Sequence, residues 1–422
     1  MRIKHLSLRN IGPFIEAEMR FFDDADEKVP VVLITGENGA GKSIITDAIR
    51  GMFGPQYVRL ERDIRRRKCE EKPEIRMMLE TEQEEYFLNS HEIRENDILP
   101  PPLSEKHHSV MNMPENVRKG GECPNWIADF WPSASAGGSY QIRALANPEH
   151  KNLFLNALQG VGTKESLTEL ICHFDYLRDS RDPREQEIGE RLYHVLEKII
   201  ENSLLDGGKL SHISRSTYQP VILQNGQAVN LENLSSGNLY LIQNMTGLLG
   251  KMYSVHFLRQ TPLSEICQTP GILLIDEAEN HLHPKWQKRF IRSVLDIFPN
   301  LQIIATTHSP FIISSVPDAR LFVCKVRAEH CVVVDETSEY SNKPVDEILI
   351  SPLFEGTLPF NEDISRLIRK REQAIRAGNG NEREQIETKL KAINPQYFSY
   401  LDVDFGEAGP YPELVEGAEF GL

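Results

Sequence analysis

The clearest pattern along the chain is a set of short apolar runs that each end abruptly at a polar or glycine-rich turn. Residues 29–35, 272–275 and 301–305 are dense in aliphatic and β-branched side chains. Uninterrupted apolar runs of this length are typical of strands that are buried on both faces, as in a parallel sheet. The pattern therefore predicts three central buried strands.

Other segments alternate or show helical periodicity. Residues 1–22 predict two strands joined by a Gly12-Pro13 turn, with a charged loop at 23–28, and further strands are predicted at 73–81 and 322–335. Residues 218–231 predict a strand pair that turns at Asn225-Gly226. Helical periodicity predicts helices at 43–53 and 237–253, two or three in 151–205, and a hairpin at 361–391 broken near 378–380. Residues 99–118 lack periodicity and predict a loop.

These elements predict an α/β protein with a mostly parallel central sheet. An N-terminal antiparallel β lobe, a helical insert at about 145–210 and a helical C-terminal tail complete the predicted fold. We expect one domain that spans residues 1–325, and a partner or assembly region at 326–422.

The turn after the first central strand reads GENGAGKS and fits the phosphate-loop pattern G-x-x-x-x-G-K-[ST]. Its glycines allow tight turns and let backbone amides close around phosphate oxygens. The lysine can reach the β- and γ-phosphates, the serine hydroxyl can ligate Mg²⁺, and the following helix directs its N-terminal dipole at the anion. The predicted nucleotide-binding residues are Gly36, Glu37, Asn38, Gly39, Ala40, Gly41, Lys42 and Ser43.

The second central run, GILLIDE, ends in two carboxylates. At a strand end beside the phosphate loop, Asp276 can hold Mg²⁺ through water together with Ser43, and Glu277 can act as general base toward the attacking water. The alternative is a core strand that ends in a solvated acidic turn, which the neighbouring phosphate loop disfavours.

Two more motifs follow the same logic. The third run ends in Thr-Thr-His-Ser, so His308 could sense the γ-phosphate by hydrogen bonding, whereas an ordinary core histidine is the alternative. Ser235, Ser236 and Gly237 of LSSG begin a predicted helix and can offer amides and hydroxyls to an anion. Ordinary helix capping is the alternative for LSSG.

The chain carries, in this order, a phosphate loop, LSSG, an apolar run before Asp-Glu, and Thr-His-Ser. This arrangement resembles ATP-binding-cassette ATPases of the structural-maintenance-of-chromosomes (SMC) and RecF branch. LSLRNIGPF, IDEAENHLHPKWQ and ATTHSPFIISS are especially similar to stand-alone bacterial AAA-family ATPases of that branch, including RecF-like ATPases and the ATPase subunits of anti-phage systems such as Septu. The resemblance covers about residues 1–70 and 215–325. It implies ATP and Mg²⁺ as cofactors, with Lys42 and Ser43 on phosphate and metal, Asp276 as the metal carboxylate and Glu277 as the base. It also implies His308 as the switch histidine, and Ser235, Ser236 and Gly237 as a signature that docks on the nucleotide of a second subunit.

The sequence departs from that family in three places. Asn238 follows the signature where the family usually has Gln or Glu, and Gln141 is the candidate for the glutamine of its Q-loop. His281 and His283 occupy the position of its D-loop, and two histidines at this spacing without further ligands do not predict a metal site.

Composition narrows the class of protein. The chain has 422 residues and a formal net charge of −15, which excludes a generally basic nucleic-acid-binding surface. A local basic cluster at 59–68 fits either a solvated face or contact with a nucleic-acid backbone. The six cysteines form no C-x-x-C pair, and no stretch approaches 18 apolar residues, so we expect a cytoplasmic protein with reduced thiols and no membrane partner.

The leading expectation is an ATPase switch, homodimeric or larger through ATP-sandwich contacts, that controls a partner effector. That effector is expected to be a nuclease acting in phage defence or genome maintenance. A RecF-like repair ATPase that itself binds DNA is the second interpretation. A transporter nucleotide-binding subunit is third, disfavoured by the long insert and the HLHP segment. Asp402, Asp404 and Val415-Glu416-Gly417 faintly echo a Toprim nuclease but in reversed order, which argues against a fused nuclease.

Overall fold

The structure, a computed structural model, describes residues 1–22, 29–54, 60, 62–66, 71–82, 84–95, 98–99, 110–134, 137–160, 162–204, 207–354, 358 and 360–402. The predicted charged loop at 23–28, part of the basic cluster at 59–68 and the terminal residues 403–422 lie outside this range. The chain divides into two compact units, Met1–Ile348 and Leu349–Leu422.

The strands are, in chain order, β1 (Arg2–Ile11), β2 (Phe14–Arg20), β3 (Val31–Gly36), β4 (Glu74–Glu80), β5 (Glu85–Asn89), β6 (Glu92–Ile93), β7 (Ile98–Leu99), β8 (Ile127–Trp131), β9 (Lys209–Ser214), β10 (Gln219–Gln224), β11 (Gln227–Asn230), β12 (Gly271–Ile275), β13 (Leu301–Thr306), β14 (Arg320–Val326) and β15 (Cys331–Asp335).

The α-helices are α1 (Lys42–Phe53), α2 (Met113–Arg118), α3 (Leu153–Gln159), α4 (Lys164–Arg178), α5 (Pro183–Asn202), α6 (Ser236–Arg259), α7 (Pro284–Gln287), α8 (Phe290–Ile297), α9 (Pro310–Ile313), α10 (Thr337–Tyr340), α11 (Val345–Ile350), α12 (Glu362–Arg376) and α13 (Gly380–Ile393). Short 3₁₀ segments lie at His150–Asn152, Leu231–Asn233, Leu263–Gln268, Pro352–Phe354 and Tyr397–Asp402.

Ten strands form one sheet in the order β5-β4-β1-β2-β15-β14-β3-β13-β12-β8. The half from β14 to β8 is parallel. At the other end β1, β2, β4 and β5 pair antiparallel. Every residue of β3, β12 and β13 is buried, as their apolar runs predict. The carboxyl ends of these three parallel strands therefore meet at one edge of the sheet, where ligands bind in open α/β folds.

The predicted fold class is confirmed. The mostly parallel sheet, the antiparallel N-terminal strands, the insert α3–α5 and the C-terminal helices are all present. The Asn225-Gly226 turn joins β10 to β11, and both residues have positive φ, 51° and 76°, as a two-residue hairpin turn requires. No helix in the described part of the chain is long and apolar enough to span a membrane.

Two predictions differ from the structure. The loop predicted for 99–118 is wrong at Leu99, which ends β7, and at Met113–Arg118, which forms α2 with a proline in its first turn, where the missing N–H costs nothing. Residues 100–109 of that prediction lie outside the described residues. The first compact unit also extends past the predicted boundary at 325, because β15 pairs with β14 and, at one residue, with β2.

The second compact unit is built around the predicted helical hairpin of α12 and α13. The chain turns at Gly378, where φ is +64°. Arg371 Nε and Arg383 Nε both donate to Glu387 Oε1, at 2.6 and 2.9 Å. The unit has its own apolar cluster, formed by Ile386, Leu390 and Phe398 with Phe360, Ile364, Leu367, Ile368 and Leu401 packed against it.

Candidate active site

The phosphate loop is clamped between two neighbouring parts of the sheet. Gly36, Gly39 and Gly41 have φ of +134°, +82° and +98°, which side-chain-bearing residues rarely adopt. A Cβ on Gly36 would collide with the backbone of Cys324 in β14, and a Cβ on Gly41 would lie 2.6 Å from Pro13 Cγ in the β1–β2 turn. The glycines are therefore required both by the backbone conformation and by close packing.

Lys42 begins α1 and is buried. Its Nζ donates to the carbonyl oxygens of Gly36 and Glu37, at 3.0 and 2.8 Å, so the ammonium closes over the loop. Burial lowers the pKa of Lys42, and this effect is opposed by nearby groups that include the carboxylates of Glu279, Glu277 and Asp276. Ser43 follows in the first turn of α1, where backbone N–H groups have no partner within the helix.

Asp276 stands directly after β12, between β8 and β13. Its backbone N–H donates to the carbonyl oxygen of Trp131 at 3.0 Å, which fixes the strand end. Its Oδ1 accepts a hydrogen bond of 2.7 Å from Thr306 Oγ1 at the end of β13. Asp276 is buried, with 5% of the residue exposed, and follows the carboxyl end of β12.

Glu277 adopts a left-handed backbone conformation, with φ of +52°. Such a conformation is unfavourable for a residue with a side chain and is held here by two contacts. The Glu277 N–H donates to Thr306 Oγ1 at 2.8 Å, and Asn280 Nδ2 donates to Glu277 Oε2 at 2.6 Å. Thr306 thus joins the predicted metal ligand Asp276 and the predicted base Glu277 through one hydroxyl.

His308 follows β13 and is tied to the loop after β12 through Glu279. Glu279 Oε1 accepts the His308 N–H at 2.7 Å, and Glu279 Oε2 accepts from Thr307 Oγ1 at 2.7 Å. Burial and the neighbouring Lys42 lower the pKa of His308, while Glu279 and Glu277 raise it. The imidazole is therefore neutral at neutral pH. Sequence analysis missed Glu279; its only signal is a third acidic residue two positions after Glu277.

The charge balance of this edge fits Mg²⁺ and a nucleotide. Three carboxylates, those of Asp276, Glu277 and Glu279, act on one ammonium, that of Lys42. The described residues contain no group of three or more His, Cys, Asp or Glu that could hold a metal ion by themselves. Mg²⁺ is usually held by one or two carboxylates together with substrate phosphates, so Ser43 and Asp276 supply suitable oxygen ligands.

The predicted signature lies at the start of α6. Ser235 Oγ caps the helix by accepting the Asn238 N–H at 3.3 Å. A Cβ on Gly237 would lie 2.7 Å from the carbonyl oxygen of His281. Trp286 Nε1 donates to Asn238 Oδ1 at 3.0 Å, which gives the departure from the family pattern a structural role.

A cavity of about 390 Å³ opens at this signature. No phosphate-loop residue is among its described lining residues, which are Gln224, Ser235, Ser236, Gly237, Asn238, His281, His283 and Trp286. Both histidines are exposed, and His283 Nδ1 accepts the Lys285 N–H at 3.3 Å, which caps α7.

The remaining sequence candidates lie elsewhere. Gln141 is exposed, and its role as the Q-loop glutamine stays a prediction. In the described part of the basic cluster, Arg66 donates to the carbonyl oxygens of Pro13 and Glu329, both at 2.8 Å. Arg62 pairs with Asp47 at 3.1 Å. These two arginines therefore have partners within the chain, and contact with nucleic acid stays a prediction.

Several known proteins are similar to this chain. A Retron Vc95 probable ATPase from Vibrio cholerae serotype O1 biovar El Tor is 27% identical, over 58% of this chain and 47% of its own length. A Septu protein PtuA from Bacillus thuringiensis is 33% identical over 28% of each chain. A Retron Ec83 probable ATPase from Escherichia coli is 25% identical over 44% of this chain and 34% of its own. The chain thus spans less than half the length of each of these relatives.

Two solved structures cover most of the chain at low identity. The SMC head domain from Thermotoga maritima is 16% identical, covers 79% of this chain and 99% of its own, and has a TM-score of 0.44. An Smc head domain with an extended coiled coil, bound to the C-terminal domain of ScpA derived from Pyrococcus furiosus, is 13% identical, covers 82% and 99%, and has a TM-score of 0.47.

Two family models match the chain. One AAA domain model matches residues 1–57, and another matches residues 31–314, from β3 through α9. The second match includes the phosphate loop, Asp276, Glu277, the signature and His308. Because it spans more than half of the chain, the protein belongs to the AAA domain family described as putative AbiEii toxin, Type IV TA system.

Proposed function

We propose that this protein is a Mg²⁺-dependent ATPase that uses ATP binding and hydrolysis as a switch to control a partner effector in bacterial phage defence or genome maintenance. The observation that carries the proposal is the convergence of Lys42, Asp276 and Glu277 at one edge of the sheet. Thr306 Oγ1 donates to Asp276 Oδ1 and accepts the N–H of Glu277. One hydroxyl thereby sets the relative position of a metal ligand and a base.

Each residue then has a distinct task. Lys42 and the amides of residues 36–43 would hold the phosphates, and Ser43 and Asp276 would hold Mg²⁺. Bound Mg²⁺–ATP supplies a reactive phosphoanhydride whose charge the metal partly neutralises. Glu277 accepts the proton of the attacking water, and its hydrogen bond from Asn280 orients the carboxylate.

His308 acts as a neutral hydrogen-bonding group beside this base. Because the pKa of His308 is lowered, its ring can offer one N–H donor and one acceptor at neutral pH. Glu279 holds the backbone of His308 and the hydroxyl of Thr307, so the loop after β13 moves with the loop after β12. That linkage suits a group that responds to the γ-phosphate.

The biological setting is supported by the relatives. Two of them are named as retron probable ATPases and one as a Septu protein. We propose a cytoplasmic homodimer or larger assembly, joined by ATP between the phosphate loop of one chain and the signature of another, that controls a nuclease. A RecF-like DNA-binding ATPase is the competing function, and stimulation of hydrolysis by DNA without any partner protein would favour it.

The test compares phosphate release and nucleotide binding in matched variants. Glu277→Gln keeps the side-chain shape and removes the base, so turnover should fall about 10²- to 10⁴-fold while ATP binding persists. Lys42→Ala should weaken binding itself, and EDTA should stop turnover in the wild type. Glu201→Gln, an exposed carboxylate change on α5, is the control and should leave turnover unchanged. Full-rate hydrolysis by Glu277→Gln would remove this residue from the base role.

A further inference from the structure

Tyr240 carries a buried hydroxyl that the described structure leaves without a hydrogen-bond partner. The residue is 6% exposed and lies on α6, four positions after Ser236 of the signature. Residues four apart lie on the same face of a helix, so Tyr240 stands one turn below the signature. An unpaired buried hydroxyl destabilises the state in which it occurs, which raises the question of which state satisfies it.

The surroundings of Tyr240 point to the carboxylate edge. Its ring packs edge-on against Trp131, with centroids 6.4 Å apart, and the Trp131 carbonyl accepts the Asp276 N–H. Tyr240 and Asp276 both line one cavity of about 830 Å³, which Ser236 also lines. The Tyr240 ring centroid is also 6.0 Å from that of His281. Tyr240 therefore lies near both the candidate metal ligand, with which it shares a cavity, and the signature, one helical turn away.

The chemistry of the two groups is complementary. The Tyr240 side chain is a phenol, whose hydroxyl is protonated at neutral pH and can donate a hydrogen bond. The Asp276 carboxylate uses Oδ1 to accept from Thr306 and retains further acceptor capacity on its two oxygens.

We propose that Tyr240 is a positioning residue whose hydroxyl donates to the Asp276 carboxylate, or to a water beside it, when Mg²⁺ and nucleotide bind. The hydrogen bond would tie α6 to the occupied site, so that the signature of a chain is set by the nucleotide state of the same chain. This inference rests on the proposed function and adds the route by which one chain's own site affects the surface that it offers to a partner.

Tyr240→Phe removes only the hydroxyl and separates the two states. Without nucleotide, the melting temperature of the full chain should equal or exceed that of the wild type, because an unpaired polar group is lost. The dissociation constant for Mg²⁺ with the non-hydrolysable analogue adenylyl imidodiphosphate should rise about tenfold, as expected for losing one hydrogen bond to a charged group. In EDTA, which removes Mg²⁺, the dissociation constants of Tyr240→Phe and the wild type for the analogue should differ less. If Tyr240 had a purely structural role, Tyr240→Phe would change the melting temperature rather than the dissociation constant.

Thr246→Val is the matched control. Thr246 is on the same helix, is fully buried, and also has a hydroxyl without a partner, but it is not among the residues that line the cavity with Asp276. Its removal should leave analogue binding unchanged. A dissociation constant of Tyr240→Phe within twofold of the wild type, or a clear drop in its nucleotide-free melting temperature, overturns the inference alone. A wild type that binds no Mg²⁺–analogue overturns the proposed function as well.

Discussion

The carboxyl edge of the parallel strands and the start of α6 are both candidate phosphate-binding surfaces, but they are built differently. At the strand edge the polar groups form hydrogen bonds with one another. The Thr306 hydroxyl donates to Asp276 and accepts the Glu277 N–H, and the Glu279 carboxylate accepts from the Thr307 hydroxyl and the His308 N–H. At the start of α6 the signature serines line a cavity of about 390 Å³ together with exposed histidines.

This difference indicates which of the two candidate phosphate-binding surfaces is fully formed within one chain. Around Asp276 a hydrogen-bond network fixes the candidate metal ligand and the candidate base relative to each other, as preorganised catalysis requires. The signature is equally well fixed in position, since Gly237 packs on the His281 carbonyl and Asn238 accepts from Trp286. None of the described residues that line its cavity of about 390 Å³ belongs to the phosphate loop of its own chain. We infer that the signature serves a nucleotide held by another copy.

The largest expected effect comes from variants that inactivate each of the two surfaces separately. Lys42→Ala should inactivate the phosphate loop of one chain, and Ser235→Arg should block the signature of another, so each variant alone should lose hydrolysis. Mixing the two regenerates one intact composite site per dimer, because each supplies the half that the other lacks. Phosphate release should therefore return to a fraction of the wild-type rate.

The matched control for mixing is Lys42→Ala combined with Lys42→Ala,Ser235→Arg, which cannot form an intact site. Size-exclusion chromatography of Glu277→Gln with ATP checks the assembly independently. If Glu277→Gln forms no larger species with ATP and mixing restores no phosphate release, LSSG is an ordinary helix cap and does not bind the nucleotide of another copy.

A smaller effect is expected from Glu279→Gln. Both Glu279 oxygens accept hydrogen bonds, so an amide would direct its own N–H groups at one of the two donors. A mismatch of this kind costs about 1–3 kcal/mol, or roughly 5- to 150-fold in kcat, while nucleotide binding persists. The charge of Glu279 raises the pKa of His308, so its removal should also shift the acid limb of the rate profile to lower pH. An unshifted profile together with an unchanged kcat would remove Glu279 from the site.

The part of the site that sequence analysis could predict is the part carried by local pattern. Apolar runs that stop at Gly36, Asp276 and Thr306 define three strand ends, and parallel strands bring their carboxyl ends together. The hairpin at Asn225-Gly226 was equally predictable, because few dipeptides tolerate two positive φ angles.

What remained hidden depends on contacts distant in sequence. Strand β8 was not predicted because Asp129 interrupts its apolar pattern, yet Asp129 is fully buried and pairs with Lys251 at 2.5 Å, 122 residues away. Glu279 has no local feature that separates it from a solvated acidic turn, and its hydrogen bonds to Thr307 and His308 come from the loop after β13. Tertiary pairing satisfies these charges, so no window of sequence could reveal them.

The smallest expected effect concerns the second compact unit, which we propose is an interaction module. Its apolar cluster is formed by its own helices, so its removal should leave the nucleotide site intact. A chain that ends at Ser351 should bind ATP within about twofold of the full chain, which is less than about 0.5 kcal/mol, but should lose higher assembly or partner capture.

A full-length variant with an altered surface tests whether assembly depends on the exposed apolar side chains of the second unit. Ile375 and Ile393 are 40% and 52% exposed although the unit has a buried cluster for apolar side chains. Replacing both with lysine keeps Leu390 and Phe398 in place, so the unit should stay folded by circular dichroism. We expect this full-length variant to keep nucleotide binding and to lose assembly as the truncated chain does. If the truncated chain stays folded yet loses ATP binding, the unit belongs to the ATPase core. If the lysine variant assembles normally, the partner surface lies elsewhere on the unit.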